Sequence, residues 1–309
     1  MRRSLLGGLA VAFAAGSLFA TAACGGNGGG GGNAGGGSGG GGAVSGPGVD
    51  SKLAAMVPKS IKSDGKVVVA TDPSYAPMEL VAANGSTIVG VDPDLGKALG
   101  KILGIKFEFQ KATFDAILGG LQSGKYELGM SSFTDTKQRE KVVNFVTYFK
   151  AGTALMVPTG NPQHLSTSNM SLCGHSVGAE KGTIQAADAT ARSKKCSAAG
   201  KQGISVKQFP DQNGVNLALA TNRIDAALAD SGVAGYMAKK SHGKLEIVGK
   251  PYATAPYGIA VPKNTGSFDK ALQGAMNKLI QDGTYTKILQ KWSSTQGAIS
   301  SSQINAAVS

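Results

Sequence analysis

The sequence predicts an α/β chain of two similar lobes, each a mostly parallel sheet flanked by helices. Three observations lead there. Short β-rich runs alternate with amphipathic stretches between residues 66 and 262, and repeated βα units build parallel sheets covered by helices. "LGGLQSGKYELGMSS" (118–132) is echoed by "NLALATNRIDAALAD" (216–230). Both read as a helix, a Gly or Asn break, a basic residue, an apolar residue, an acid, then a strand ending in polar groups. Finally, "GIAVPK" (258–263) is a strand followed only by helical sequence, so the chain must return to the first lobe to find a sheet. At 309 residues and 41% hydrophobic content there is enough apolar surface for two lobes.

The elements follow in order. "KVVVAT" (66–71) is a compact strand, and "MELVAANGSTIVGVD" is two extended halves joined by Asn84-Gly85, a strong hairpin signal. "PDLGKALGKILG" has Leu95, Leu99 and Leu103 at helical spacing behind a proline and an aspartate. "IKFEFQ" alternates as a strand, "FDAILGGLQSG" is a helix stopped by glycine, and "YELGMSS" is a strand. The second lobe repeats the scheme with "HSVGAEKG", "IQAADATARSKKC", "ISVKQF", "NGVNLALATN" and "IDAALAD". The stretch "FDKALQGAMNKLIQDGTYTKILQKW" is long and amphipathic.

Several function classes lose support. "GGLQSGKY" nearly matches a phosphate-binding loop, but Tyr126 replaces the magnesium-binding hydroxyl and the segment runs from helix into strand. The three histidines lack any nucleophile-elbow or HExxH setting, and His164 and His175 lie near Cys173 without zinc-ligand spacing. The formal charge of +12 is scattered in pairs such as Lys194-Lys195, with no basic run interleaved with aromatics, so it reads as a solvated surface rather than a nucleic-acid face. No cofactor and no metal are expected, and the chain is expected to be a monomer.

Arg2 and Arg3, an apolar run from Leu5 to Ala20 and "ATAAC" read as an export signal over residues 1–23. Small residues before Cys24 resemble the lipobox of bacterial lipoproteins, which implies lipid attachment at Cys24 and a protein held at the outer face of the cell membrane. The alternative is an ordinary signal peptide with an incidental cysteine. Residues 25–48 are almost all glycine with a few Asn, Ala and Ser, a flexible coil. With Cys24 assigned to lipid, Cys173 and Cys196 remain as one disulfide pair in an oxidising compartment, or as two buried thiols.

The chemistry concentrates in "GMSSFTDTKQRE" (129–140). Ligands of open α/β sheets bind beyond the carboxyl ends of the strands. Ser131, Ser132 and Thr134 leave such an end, and Arg139 follows in the next helix, whose N-terminus also favours an anion. In the second lobe the equivalent end carries Asp230. A guanidinium and an aspartate on facing lobes would suit a free α-amino acid. The blander alternatives are a solvated Arg139 with Asp135 as the helix cap, and Asp230 as a cap for the helix beginning at Ser231.

"TDPSYAPMEL", "VGVDPDLGKAL", "MSSFTDTKQRE", "EKGTIQ" and "NRIDAALAD", in this order, resemble the polar amino-acid class of extracellular solute-binding proteins, which serve ABC importers. The likeness runs from about Lys66 to Trp292. It implies two lobes closing on a two-segment hinge near Gly152–Leu155 and Tyr257–Ile259. It places lobe 1 at 59–153 plus 258–300 and lobe 2 at 154–257, with a tether at 24–58 and a tail at 301–309. It also implies a membrane permease as partner. By the same resemblance, Arg139 receives the ligand carboxylate with Thr134 and Thr183, and Asp230 takes the ammonium. Ser131 and Ser132 line that end, and Asp72, Tyr75 and Phe114 surround the ligand side chain. Glu180 stands where relatives often carry an apolar, amide or basic residue. Facing the cavity with Asp72, it would demand a cation, so a basic ligand, arginine or lysine, is expected, with glutamine as the alternative. A rival is an exported dehydratase-like enzyme on the same scaffold with Glu180 as general acid. A Glu180 turned outward towards Lys181 would remove both ideas.

Overall fold

The computed structural model describes residues 48–308. The export signal and Cys24 lie outside the described residues, as does most of the tether. Two short helices, α1 (Ser51–Ala55) and α2 (Lys59–Asp64), open the fold. The tether expected over 24–58 therefore ends early. Asp50 caps α1, its N–H donates to the Ile102 carbonyl at 2.8 Å, and its carboxylate pairs with Lys278.

The first lobe continues with β1 (Lys66–Thr71), β2 (Ser74–Tyr75), β3 (Glu79–Val81), β4 (Ile88–Val89), α3 (Val91–Leu103) and β5 (Lys106–Lys111). Then come α4 (Phe114–Gln122), β6 (Leu128–Gly129), α5 (Lys137–Glu140) and the long β7 (Val143–Pro158). β3 and β4 pair antiparallel around Asn84-Gly85, as the sequence predicts. The connection is longer than two residues, however, because Asn84 Oδ1 accepts from the N–H groups of Ser86 and Thr87. α3 buries Leu95, Leu99, Ile102 and Leu103 and stops at Gly104, whose φ of 69° suits glycine.

The second lobe contains β8 (Ser176–Glu180), α6 (Ile184–Ala198), β9 (Ser205–Phe209), α7 (Gln212–Ala220), β10 (Ala226–Asp230) and α8 (Ser231–Lys240). β11 (Leu245–Pro262) returns the chain to the first lobe, where α9 (Phe268–Gln281) and α10 (Thr284–Lys291) follow. The amphipathic tail is thus two helices, parted at Gly283, where φ is 79°.

One eight-stranded sheet runs β5-β1-β6-β11-β7-β10-β8-β9. Its ends are two parallel triplets, β5-β1-β6 and β10-β8-β9, each with its first strand in the middle and its helices in the same order. The internal echo in the sequence is this repeated triplet. The antiparallel strands β7 and β11 cross between the triplets, and β11 breaks register repeatedly between Val248 and Gly258. Each lobe has its own core. α3, α9 and α10 pack on one face of the first triplet and α4 on the other. α7 and α8 cover one face of the second, and α6 covers the other. Cys173 and Cys196 are bonded, with Cα atoms 5.6 Å apart.

Candidate functional site

Two pairs of parallel strands, β1 with β6 in the first lobe and β8 with β10 in the second, run towards each other, and their facing carboxyl ends carry the polar residues. β1 runs into Asp72, β6 into Ser131 and Ser132, β8 ends at Glu180 ahead of Thr183, and β10 ends at Asp230. With Tyr75, Phe114, Thr134 and Arg139, these residues line a single cavity between the lobes. The ten residues expected around the ligand all line it. Glu79, Ile184 and Gln185 line it too and were not anticipated. Gln185 had a readable signal, since it lies in the first turn of a helix beginning at a strand's carboxyl end. Glu79 had none, because a strand glutamate in a hairpin normally faces water. The cavity is about 10 Å³, close to the size of one water.

On the first lobe the corner 131–139 is held from several sides. Ser132 has φ 51°, a strained value for a non-glycine residue. Its N–H donates to Asp92 at 3.3 Å and its hydroxyl to Glu79 at 3.2 Å. Ser131 Oγ accepts from the Asp72 N–H at 2.9 Å. Arg139 is half-buried, and its helix is not capped by Asp135; Thr136 Oγ1 is the cap, accepting the Arg139 N–H. The guanidinium donates to Thr134 O at 2.8 Å and across the lobes to Gly182 O at 3.0 Å. It lies 5.3 and 5.4 Å from the rings of Phe114 and Phe133, which stack on each other. Burial pulls its pKa down to about 10, and Asp230 opposes that. It remains a cation at neutral pH. The anion-attracting N-terminus expected of the next helix is a weak contributor, because α5 is one turn long and already capped.

On the second lobe Asp230 begins α8 without capping it. Its carboxylate instead accepts from Tyr75 Oη at 2.8 Å and from Gln185 Nε2 at 2.9 Å. Burial pushes Asp230 up to about 6, offset by donors from Tyr257, Tyr75 and Gln185 and by the charge of Arg139. Thr183 departs from its expected role. Its hydroxyl donates to Glu180 O at 2.6 Å and accepts from the Ala186 N–H at 3.2 Å. It is an N-cap whose only hydroxyl proton is already committed.

The lobes touch. Besides Tyr75–Asp230 and Arg139–Gly182, the Gln212 N–H donates to Ser74 Oγ at 3.0 Å, and Lys181 pairs with Asp115 at 2.8 Å. Lys181 is thereby engaged away from Glu180, which does not turn outward. Glu180 is 2% exposed, and its Oε1 has no hydrogen-bond partner. Burial pushes it up to about 9, with Asp72, Asp211 and Asp230 adding repulsion. Burial also raises Asp72, whose carboxylate accepts from the Phe114 N–H at 3.1 Å. Beneath them Glu79 and Asp92 form a buried carboxyl pair, and burial holds Glu79 well above the usual range. Among the described residues, four carboxyl groups, those of Asp72, Glu79, Glu180 and Asp230, line the cavity, and Arg139 is its only cationic residue. Among the described residues no cluster of His, Cys, Asp and Glu is placed to hold a metal ion.

The family model for bacterial extracellular solute-binding proteins, family 3, matches residues 67–295. The chain belongs to this family. Members of family 3 work outside the cytoplasm, and among the described residues no helix is long and apolar enough to cross a membrane. Its relatives include the arginine-binding protein ArgT of Corynebacterium glutamicum, 31% identical over 255 residues, which are 82% of this chain and 83% of that protein. Among solved structures, an ancestral arginine-binding protein bound to arginine superposes with a TM-score of 0.69 at 34% identity, covering 74% of this chain and 98% of its own. An ancestral amino acid-binding protein that is a precursor of cyclohexadienyl dehydratase superposes at 0.68 and 30% identity, covering 78% and 99%. These solute-binding proteins share the two-lobed architecture described above.

Proposed function

We propose that this protein captures a free basic amino acid, arginine or lysine, between its lobes and delivers it to the permease of an ABC importer. One observation carries the choice of ligand. Among the described residues, Glu180 is buried beside Asp72 with an oxygen that no donor satisfies, in a cavity whose single cation belongs to the opposite lobe. An unpaired buried carboxylate is costly. A guanidinium or ε-ammonium placed there would supply the missing donors and charge.

In this reading Arg139 and Thr134 receive the ligand carboxylate, Asp230 receives the α-ammonium, and Glu180 with Asp72 takes the side-chain cation. Ser131 and Ser132 shape the carboxylate end, while Tyr75 and Phe114 flank the aliphatic stem. Thr183 contributes by capping α6 rather than by direct donation. The lobes are taken to close about β7 and the irregular stretch of β11, with ligand bridging both. Similarity to ArgT and to an arginine-bound ancestral protein supports the same ligand class. Lipid attachment at Cys24 would hold a monomeric protein at the outer face of the membrane near its permease.

Calorimetric titration with the common amino acids tests this reading. Arginine and lysine are expected to bind at least about a hundredfold tighter than glutamine, given two charge-assisted contacts that glutamine lacks. Equal or tighter glutamine binding would overturn the ligand assignment.

A second reading has one observation in its favour. At neutral pH the unliganded Glu180 keeps its proton, as a general acid requires, and one similar structure is a dehydratase precursor. Turnover of a cyclohexadienyl substrate without amino-acid affinity would favour it; arginine binding without turnover would favour capture alone.

A further inference from the structure

Beyond α10 the chain passes a single 3₁₀ turn, Thr295–Gly297, and then runs back along β7. Ser302 Oγ donates to Thr147 O at 2.6 Å, and the Thr147 N–H donates to Gln303 O at 2.9 Å. Ile304 bridges Val146 antiparallel, while Asn305 exchanges hydrogen bonds with Phe145 and Asn144. In the second lobe β10 occupies this edge of β7. In the first lobe the tail does, covering backbone groups that an open edge would leave unpaired.

The tail continues past what edge-covering needs. The Ala306 N–H donates to Asp135 Oδ2 at 2.7 Å, and the Ala307 N–H donates to Glu140 Oε1 at 3.1 Å. Asp135 and Glu140 bracket the short helix that carries Arg139. Asp135 is 1% exposed, its Oδ1 has no partner, and Ala306 supplies the only hydrogen bond to Oδ2 among the described residues. Burial pushes this carboxyl up to about 6, with the Ala306 N–H opposing and the neighbouring Glu140 charge adding to the rise. Without the tail a buried carboxylate would face Glu140 with no donor, and the corner would have reason to swing towards water.

We infer that the C-terminal segment Ser302–Ala307 is a strap that positions Arg139 for the ligand carboxylate, by holding Asp135 and Glu140 on either side of α5. This rests on the reading that Arg139 receives that carboxylate. Arg139 keeps its aim through Thr134 O, an atom of the strapped corner, so play in the corner is play in the guanidinium. The strap residues belong to the positioning of the site and are not among those lining the cavity.

The test compares arginine with agmatine, which is arginine without its carboxylate, in four versions of the protein: unaltered, ended after Ser301, Ala306→Pro and Arg139→Met. Proline at 306 deletes one N–H while leaving the rest of the tail in place. A strap acting through Arg139 weakens arginine at least about tenfold in both tail variants and leaves agmatine within about threefold. Loss of stability alone would weaken both ligands in proportion. If both ligands weaken together, or neither does, in Ala306→Pro, the strap is wrong. If Arg139→Met itself leaves the arginine-to-agmatine ratio unchanged, Arg139 is not the carboxylate receptor, and the strap falls with that reading. A ratio that collapses in Arg139→Met but persists in both tail variants overturns the strap alone.

Discussion

Glu180 has the pKa most displaced by its surroundings among the carboxyls at the strand ends, and a bound cation would bring it back down. The sign follows from proton linkage. Its unliganded pKa is raised to about 9, so at neutral pH arginine must displace a proton, and binding tightens as pH rises from about 5 towards 9. Without ligand, the same shift means the folded chain loses stability as pH climbs from the ordinary carboxyl range towards about 9. Calorimetry in buffers of different ionisation enthalpy is expected to count close to one proton released at pH 7, and Glu180→Gln to remove that release. Arg139→Met and Asp230→Asn should each weaken arginine by about a hundredfold, because the partner charge is left buried and unpaired; a change under tenfold would contradict their roles. Both positions could be singled out because they lie beyond strand carboxyl ends, but spacing alone left a solvated arginine and a helix cap open, and the family resemblance favoured a ligand role. Glu79 was not legible. Its burial depends on Ser131, Ser132 and Asp92 meeting it from other elements, which no local pattern reveals.

Among the elements, the turn from β8 into α6 sets how closely the lobes meet. Gly182 has φ 82°, and a Cβ there would lie 2.9 Å from Asp115 Cβ on the opposite lobe. Gly182→Ala is therefore expected to act as a wedge as well as a strain, costing about 1–2 kcal/mol in backbone conformation alone. It should weaken arginine roughly tenfold, chiefly through faster dissociation measured by stopped flow. An unchanged off-rate would mean that the lip is not part of the closed state. The disulfide between the Leu172–Cys173 segment and α6 lies far from that lip. Replacing both cysteines should lower stability by about 3 kcal/mol for a closed loop of this length and leave affinity alone, as denaturant melts and titration can check. Most elements could be read locally, the helices from an apolar face at helical spacing and the buried strands from short apolar runs such as 226–229. The exceptions were segments whose order comes from partners distant in sequence. Helix α1 was read as tether because what fixes it is distant in sequence: Asp50 meets Lys278 and Ile102, and Leu53 packs on the first-lobe core beside α9. The C-terminal segment was read only as a tail because its hydrogen-bonding partner, β7, is more than 150 residues away.

For the whole molecule, the two lobes divide the charges: the first brings the Arg139 guanidinium together with Asp72 and Glu79, and the second brings Glu180 and Asp230. A ligand that satisfies both stabilises the closed form by bridging them, and a ligand with only one of the two groups leaves a buried charge unmet. The topology was visible beforehand as a faint echo between residues 118–132 and 216–230, but how far the lobes close was not, since closure is a balance between lip contacts and cavity charge. The most direct measurement is a pair of calorimetric titrations with arginine and with citrulline, its nearly isosteric neutral analogue. Citrulline is expected to bind at least about a hundredfold weaker, with the gap shrinking to about tenfold or less in Glu180→Gln. Equal binding of the two ligands by the unaltered protein would contradict the claim that buried negative charge selects the ligand.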